Sequence, residues 1–131
     1  MHRIFQSPTM QSERNGTIEV RKWFGSVEVL VDGYTQSGRY LWRMWHQALL
    51  RLPGSQKVDR ILMLGLGTGS AILAIHSCYP TAALTIVEWD PVMIELAAKH
   101  CCASELIRST IVLGDVVDVL PDQSAAIFNL P

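Results

Sequence analysis

The amino-acid sequence predicts an α/β fold in which a parallel sheet with helical crossovers follows an N-terminal β-hairpin and a helix. Three observations predict it. From residue 60 onward, the short apolar runs "RILMLGL", "LTIVE" and "STIVLGD" alternate with helical stretches at 69–78, 91–103 and 116–120. Strand and helix alternating at this interval give parallel strands joined by right-handed crossovers. Gly65, Gly67 and Gly69 stand between the first of these strands and its helix, where a Rossmann-like sheet turns tightly and offers backbone to a ligand. Before residue 60 the grammar differs: "IEVRKWFGSVEVLVDG" has two β-branched and aromatic runs broken at Gly25 and Ser26, the pattern of a hairpin with a two-residue turn.

Taken in order, residues 1–17 are polar and carry no apolar period, so they read as a loose arm. The hairpin covers 18–34. Apolar residues then recur at Tyr40, Leu41, Met44, Trp45, Ala48 and Leu49, the spacing of one helix face. Thr35 or Ser37 is placed to cap its start and "LPG" at 52–54 to end it. The Rossmann-like part occupies 60–131, and "AAIFNL" at 125–130 reads as its fourth strand. Residues 18–131 thus form one domain, with no internal repeat.

Composition narrows the function. With 49% hydrophobic and 18% charged residues among 131, the chain fits one globular domain with a core. A formal net charge of −1 argues against nucleic acid or an anionic membrane as main partner. The arginines at 39, 43 and 51 read as a solvated helix face. No apolar stretch approaches the ~20 residues of a membrane span, and the N-terminus lacks a secretory signal's apolar segment, so a soluble, cytoplasmic protein is expected. Cys78, Cys101 and Cys102 are odd in number and two are adjacent, which implies no disulfide framework. "HCC" at 100–102 lacks the separated ligand pairs of a zinc site, and no metal is expected. "NGT" at 15–17 reads as a turn.

The spacing "LGLGTGS" is G-x-G-x-G, with Ser70 where a dinucleotide fingerprint has its third small residue. By itself the turn also serves close packing of strand on helix. Glu88 ends the second strand 19 residues after Gly69, where a carboxylate accepts both hydroxyls of a ribose diol. An acid there suits a nicotinamide dinucleotide or an adenosyl ligand. Asp90 and Pro91, which follow, also read as the cap and first residue of the next helix. Asp115 ends the third strand, facing the same crevice, either to accept from an adenine amino group or to cap the short helix after it.

Together "LGLGTGS", "IVEWDPVMIELAAKH" and "VLGDVVDVLP" resemble the cofactor half of the class I S-adenosylmethionine-dependent methyltransferase fold, incomplete here at about four strands. Within it, "VLVDGYTQSGRYLWRMWHQAL" resembles the spermidine synthase branch, the polyamine aminopropyltransferases, through Asp32, Gly33, Gln36 and the triplet Trp45, His46, Gln47. The resemblance spans about residues 18–131. It implies S-adenosylmethionine or decarboxylated S-adenosylmethionine as cofactor, no metal, and a place in polyamine biosynthesis. Glu88 would hold the ribose hydroxyls and Asp115 the adenine amino group. Gly65, Gly67 and Gly69 would line the cofactor, with Gln36 and His46 closing over it.

The chain departs from that family at two points: Trp45 stands for its tyrosine and Asn129 for its catalytic aspartate. An amide cannot take a proton from an amine nucleophile, so the catalytic residue stays unassigned. Because an S-adenosyl sulfonium is its own leaving group, the protein need only position a nucleophile and exclude water. Aminopropyl and methyl transfer to a small-molecule acceptor both remain open. A non-catalytic adenosyl-binding or assembly module and a nicotinamide-dependent oxidoreductase are the alternatives. A fourth strand with nothing beside it would leave an apolar edge, from which a homo-oligomer or a covering partner is expected.

Overall fold

The computed structural model describes residues 7–54, 57–100 and 103–120. Four antiparallel strands open the chain: β1 (Thr9–Ser12), β2 (Gly16–Trp23), β3 (Ser26–Val31) and β4 (Tyr34–Ser37), adjacent in that order. Helix α1 (Arg39–Leu50) leads into three parallel strands, β5 (Arg60–Leu64), β6 (Ala83–Glu88) and β7 (Thr110–Leu113), adjacent in that order. Helix α2 (Ser70–Cys78) crosses from β5 to β6, and α3 (Pro91–His100) with α4 (Ala103–Ile107) from β6 to β7. Residues 116–120 are helical.

The expected α/β fold, parallel sheet and preceding hairpin are therefore present, with four corrections. The supposed loose arm contains β1, which pairs with β2 from Thr9↔Glu19 to Ser12↔Gly16. The hairpin turn lies one residue earlier than expected, at Phe24 (φ 43) and Gly25 (φ 81). Two successive left-handed residues match the right-handed twist of the flanking strands. The third correction is β4: Asp32 (φ 47) and Gly33 (φ 83) make a second such turn, so Thr35 and Ser37 are strand residues. Gly38, without a side-chain hydrogen bond, caps α1 instead. Finally, the helix expected over 91–103 is α3, ending at His100, followed by the separate α4.

Two apolar clusters hold these layers, and α3 belongs to both. Ile18 and Val20 alternate inward on β2 and meet Val29 of β3, Met93 and Leu96. Ile72, Ile75, Leu84, Ile86, Ala97 and Leu106 form the second cluster, between the parallel sheet and its helices. A helix apolar on two faces must be covered on both, and α3 is held between the two sheets. Each fully buried aliphatic side chain such as Ile18, Ile72 or Ile86 contributes about 1.5–3 kcal/mol. His76 of α2 pairs through Nδ1 with Glu105 of α4, and Arg108 bridges Glu105 to the Pro80 carbonyl.

Helix α1 buries none of its residues, and Tyr40, Met44, Trp45 and Leu50 are exposed. Among the described residues, β5 has no partner on the side away from β6. An apolar groove of about 320 Å³ runs along it, lined by Trp45, Leu49, Leu52, Ile61, Met63 and Tyr79 among others. The fourth strand expected at 125–130, with Asn129, lies outside the described residues, as do Cys101 and Cys102.

At the end of α3 burial, then the charges of Lys22 and Lys99, push the His100 imidazole below its ordinary pKa. The folded value thus lies below the unfolded one. His100 accordingly contributes stability above the unfolded pKa that is lost as pH falls through the folded one. We expect Lys22→Ala to raise the His100 midpoint, read from its ring protons by NMR; a midpoint that stays put would rule out the Lys22 contribution.

Candidate ligand-binding cleft

The carboxyl ends of β5, β6 and β7 open into one cavity of about 380 Å³, lined by Asn15, Gln36, Leu64, Gly65, Gly67, Val87, Glu88, Trp89, Met93, Gly114, Asp115 and Val116. Open parallel sheets bind ligands beyond the carboxyl ends of their strands, where the loops carry unpaired backbone groups. Five expected site residues, Gln36, Gly65, Gly67, Glu88 and Asp115, meet here.

The glycines of the turn divide the work. Gly65 has φ 82, donates its N–H to the Val87 carbonyl at 2.8 Å, and a Cβ built on it meets nothing within 4 Å. Its missing side chain leaves room in the cleft. Gly67 has φ 56, and a Cβ there would stand 2.9 Å from the Gln36 carbonyl oxygen. Its missing side chain admits another strand. Gly69, left-handed at φ 99, caps α2 and does not line the cavity. Ser70 accepts the Gly38 N–H at 2.9 Å, so the same turn also docks the start of α1.

Gln36 reaches the cleft through a bulge. Across β3 the register jumps from Val29↔Ser37 to Leu30↔Thr35, leaving Gln36 without an opposite residue. An extra residue bends its strand and re-aims the local side chains. The bend carries the Gln36 carbonyl onto Gly67.

Glu88 is only 4% exposed. Its Oε2 accepts the Leu66 N–H at 2.7 Å and its Oε1 the Asp90 N–H at 2.9 Å. Two backbone donors hold the carboxylate in one orientation, and each oxygen keeps a further acceptor site. Asp115 serves as the helix cap, its Oδ1 accepting the Val117 N–H at 2.9 Å, and the residue also lines the cavity. Among the described residues Oδ2 has no partner. Glu88 and Asp115 are the charged members of the lining, and both are acidic.

His46 lies elsewhere, stacked on Trp42 of α1 with ring centroids 5.0 Å apart, and is not among the residues lining the cavity. Asp90 is a cap: Oδ1 accepts the Val92 N–H at 2.9 Å. Its other oxygen accepts from Ser12 Oγ and Asn15 Nδ2, each at 2.5 Å. The turn after β1 is thereby tied to α3, and Asn15 forms part of the cleft wall. Sequence reading missed Asn15 and also Trp89, whose ring carries the Arg14 guanidinium 5.2 Å from its centroid. The signal for Asn15 was "NG", a hairpin dipeptide inside a segment otherwise read as structureless.

Residues 28–130 match a family described as an O-methyltransferase domain. The chain is 43% identical over 44 residues to the polyamine aminopropyltransferase of Vibrio vulnificus, covering 34% of this chain and 15% of that protein. It is 34% identical over 58 residues to the eEF1A lysine and N-terminal methyltransferase homolog of Drosophila melanogaster, covering 44% and 9%. In fold it is similar to the crystal structure of spermidine synthase from Thermotoga maritima, with a TM-score of 0.69 at 19% identity, covering 88% of this chain and 42% of that one. The chain thus spans less than half the length of that solved structure, and the matched segments are 9–15% of these curated relatives.

Proposed function

The chain belongs to the O-methyltransferase domain family, in a spermidine synthase-like form of the class I methyltransferase fold, and on that premise we propose that the cleft binds an adenosyl sulfonium and that the protein transfers an alkyl group from it. The observation that carries this reading is the meeting of Gly65, Glu88 and Asp115 around one cavity. The open space at Gly65 lets a ligand lie against main chain. Glu88, already oriented by Leu66 and Asp90, has an acceptor site on each oxygen for one ribose hydroxyl, and Asp115 Oδ2 has one for an adenine amino group.

Bound there, the sulfonium supplies an activated carbon and its own thioether leaving group. The residues of this chain hold the adenosyl end, Glu88 at the ribose and Asp115 at the adenine. With no basic residue among the described residues that line the cavity, the carboxylate of S-adenosylmethionine meets no countercharge beside two acids, which favours the decarboxylated form and with it aminopropyl transfer to an amine. Methyl transfer is the second reading. The match to the O-methyltransferase domain family supports it.

Calorimetric titration with S-adenosylmethionine, its decarboxylated form, methylthioadenosine and NAD tests the reading. The adenosyl ligands are expected to bind, the decarboxylated sulfonium more tightly than the carboxylated one, and NAD not at all. Glu88→Ala should weaken binding by about 10- to 100-fold, the loss of hydrogen bonds to a charged acceptor. Binding of NAD with none of the adenosyl ligands would overturn the proposal. Release of methylthioadenosine with putrescine as acceptor selects aminopropyl transfer, and binding without that release selects methyl transfer or an assembly module.

A further inference from the structure

A second cavity, about 460 Å³ in volume, lies where β4 passes into α1 beside the start of α2. Gln36 and Gly67 belong to the cleft, whereas Gly38 and Ser70, joined by a hydrogen bond of 2.9 Å, belong to this cavity, and the two share no lining residue. Its size is that of a small-molecule site. Val27, Trp42 and Leu73 give it apolar walls, with Phe24 at the hairpin tip. Trp42 is held by its stacking on His46. Arg39, expected on a solvated helix face, lines the cavity together with His100 from the end of α3.

The charge here is all of one sign. Arg21, Lys57 and Arg108 each meet a carboxylate, whereas Arg39, Lys22 and Lys99 meet none among the described residues. Lys22 of β2 and Lys99 of α3 stand close enough to His100 for their charges to add to the effect of burial on its imidazole. Glu28 of β3, which accepts from Thr35 Oγ1 at 2.8 Å, and Glu95 of α3 are outside the lining. Phe24 is equally unaccounted for. Its side chain is fully exposed and its backbone has φ 43, at a turn position that favours Asn, Asp or Gly. The turn therefore has no use for the ring, and neither does the core.

We propose that this cavity is a second ligand site, for a small aromatic anion whose ring packs on Phe24 and Trp42 and whose carboxylate or phosphate meets Arg39 and His100. Such a ligand covers the exposed ring and neutralises a group of cations that otherwise repel one another. The same charges turn away amines. The site is independent of the adenosyl reading of the cleft, because it uses none of the same residues.

Three probes separate the ring from the charge: phenyl phosphate has both, inorganic phosphate only the charge, and benzylamine a ring with the opposite charge. Each is titrated into the full chain and followed by NMR at the His100 ring protons and the Trp42 indole. Phenyl phosphate should move both sets of signals together and raise the His100 midpoint, because a nearby anion favours the imidazolium. Inorganic phosphate should bind about tenfold more weakly for want of the ring, and benzylamine not at all. Arg39→Gln should weaken phenyl phosphate about fivefold, the upper end for an exposed charge pair. Phe24→Asn should weaken it about as much while leaving the melting temperature unchanged or higher, since asparagine suits the left-handed turn. Phenyl phosphate binding no more tightly than inorganic phosphate would mean only a basic surface and would overturn the proposal. So would comparable binding of benzylamine, or wild-type affinity in either variant. Should Phe24→Asn melt early, Phe24→Gly, which also removes the ring and accepts the same backbone, takes its place.

Discussion

Asp90→Ala is expected to destabilise the protein by about 4 kcal/mol, a large share of the roughly 5–15 kcal/mol that holds a typical domain together. Three donors converge on this carboxylate: the Val92 N–H, Ser12 Oγ and Asn15 Nδ2. Loss of the helix cap costs about 1 kcal/mol. The hydrogen bonds from Ser12 and Asn15 are to a charged acceptor and contribute about 1.5–3 kcal/mol each. Relief of the buried carboxylate's desolvation offsets part of this. It does not reverse the sign, because alanine leaves Ser12, 7% exposed, without an acceptor where water has little access. Asp90→Asn keeps the shape and caps a helix equally well, so it should cost only about 1–2 kcal/mol. Urea unfolding with an unchanged slope reads both values. A loss under about 1 kcal/mol for alanine would refute the three-donor account. Amide exchange should quicken in β1 before it does in β6, since β1 depends on this tie.

The parts of the fold legible in the sequence are those whose local pattern and tertiary role agree. "LTIVE" and "STIVLGD" are apolar runs of strand length between helical stretches, and β6 and β7 fall within a residue or so of them. In β1, "TMQS", no local pattern exists. It is a polar edge strand of four residues, fixed by Asp90, whose partner Ser12 is 78 residues away in sequence. Such a contact is invisible to periodicity. For β4 the signal was present: "VDGY" carries Asp-Gly after an apolar run, the strongest short-range mark of a hairpin. Its polar sequence, "YTQS", concealed the strand that followed.

In the candidate site, sequence located the groups that end strands, because a parallel sheet brings all its carboxyl ends to one side. Glu88 and Asp115 therefore meet without any feature of the sequence saying that they touch. Gln36 arrives by a different route, a bulge that no residue pattern announces. His46 shares a helix with residues of the apolar groove, and its ring is occupied by Trp42. A family motif marks it, while the geometry keeps it out of the cavity lining. The glycines were legible as a turn but not as individuals. Both line the cavity, but that a side chain at Gly65 would meet open space and one at Gly67 a strand is a fact of tertiary packing.

That division gives the second large effect. Gly67→Ala should cost about 2–5 kcal/mol of stability, from two sources that add. A left-handed backbone at φ 56 costs an L-residue about 1–2 kcal/mol. The new Cβ would also stand 2.9 Å from the Gln36 carbonyl oxygen, a backbone atom that cannot rotate away, and overpacking of this kind costs about 1–3 kcal/mol. Gly65→Ala shares the first cost at φ 82 and lacks the second, since its Cβ meets nothing within 4 Å. It should lose about 1 kcal/mol of stability while placing a methyl group in the cleft. The two substitutions should therefore rank in opposite order by the two measurements, Gly67→Ala the worse in urea unfolding and Gly65→Ala the worse in methylthioadenosine binding relative to its stability. If Gly65→Ala were the more destabilising, or bound ligand as tightly as wild type, the assignment of one glycine to the cleft and the other to the β4 contact would be wrong. The expected ranking follows from the bulge at Gln36, because only a carbonyl pushed out of register reaches Gly67 at all.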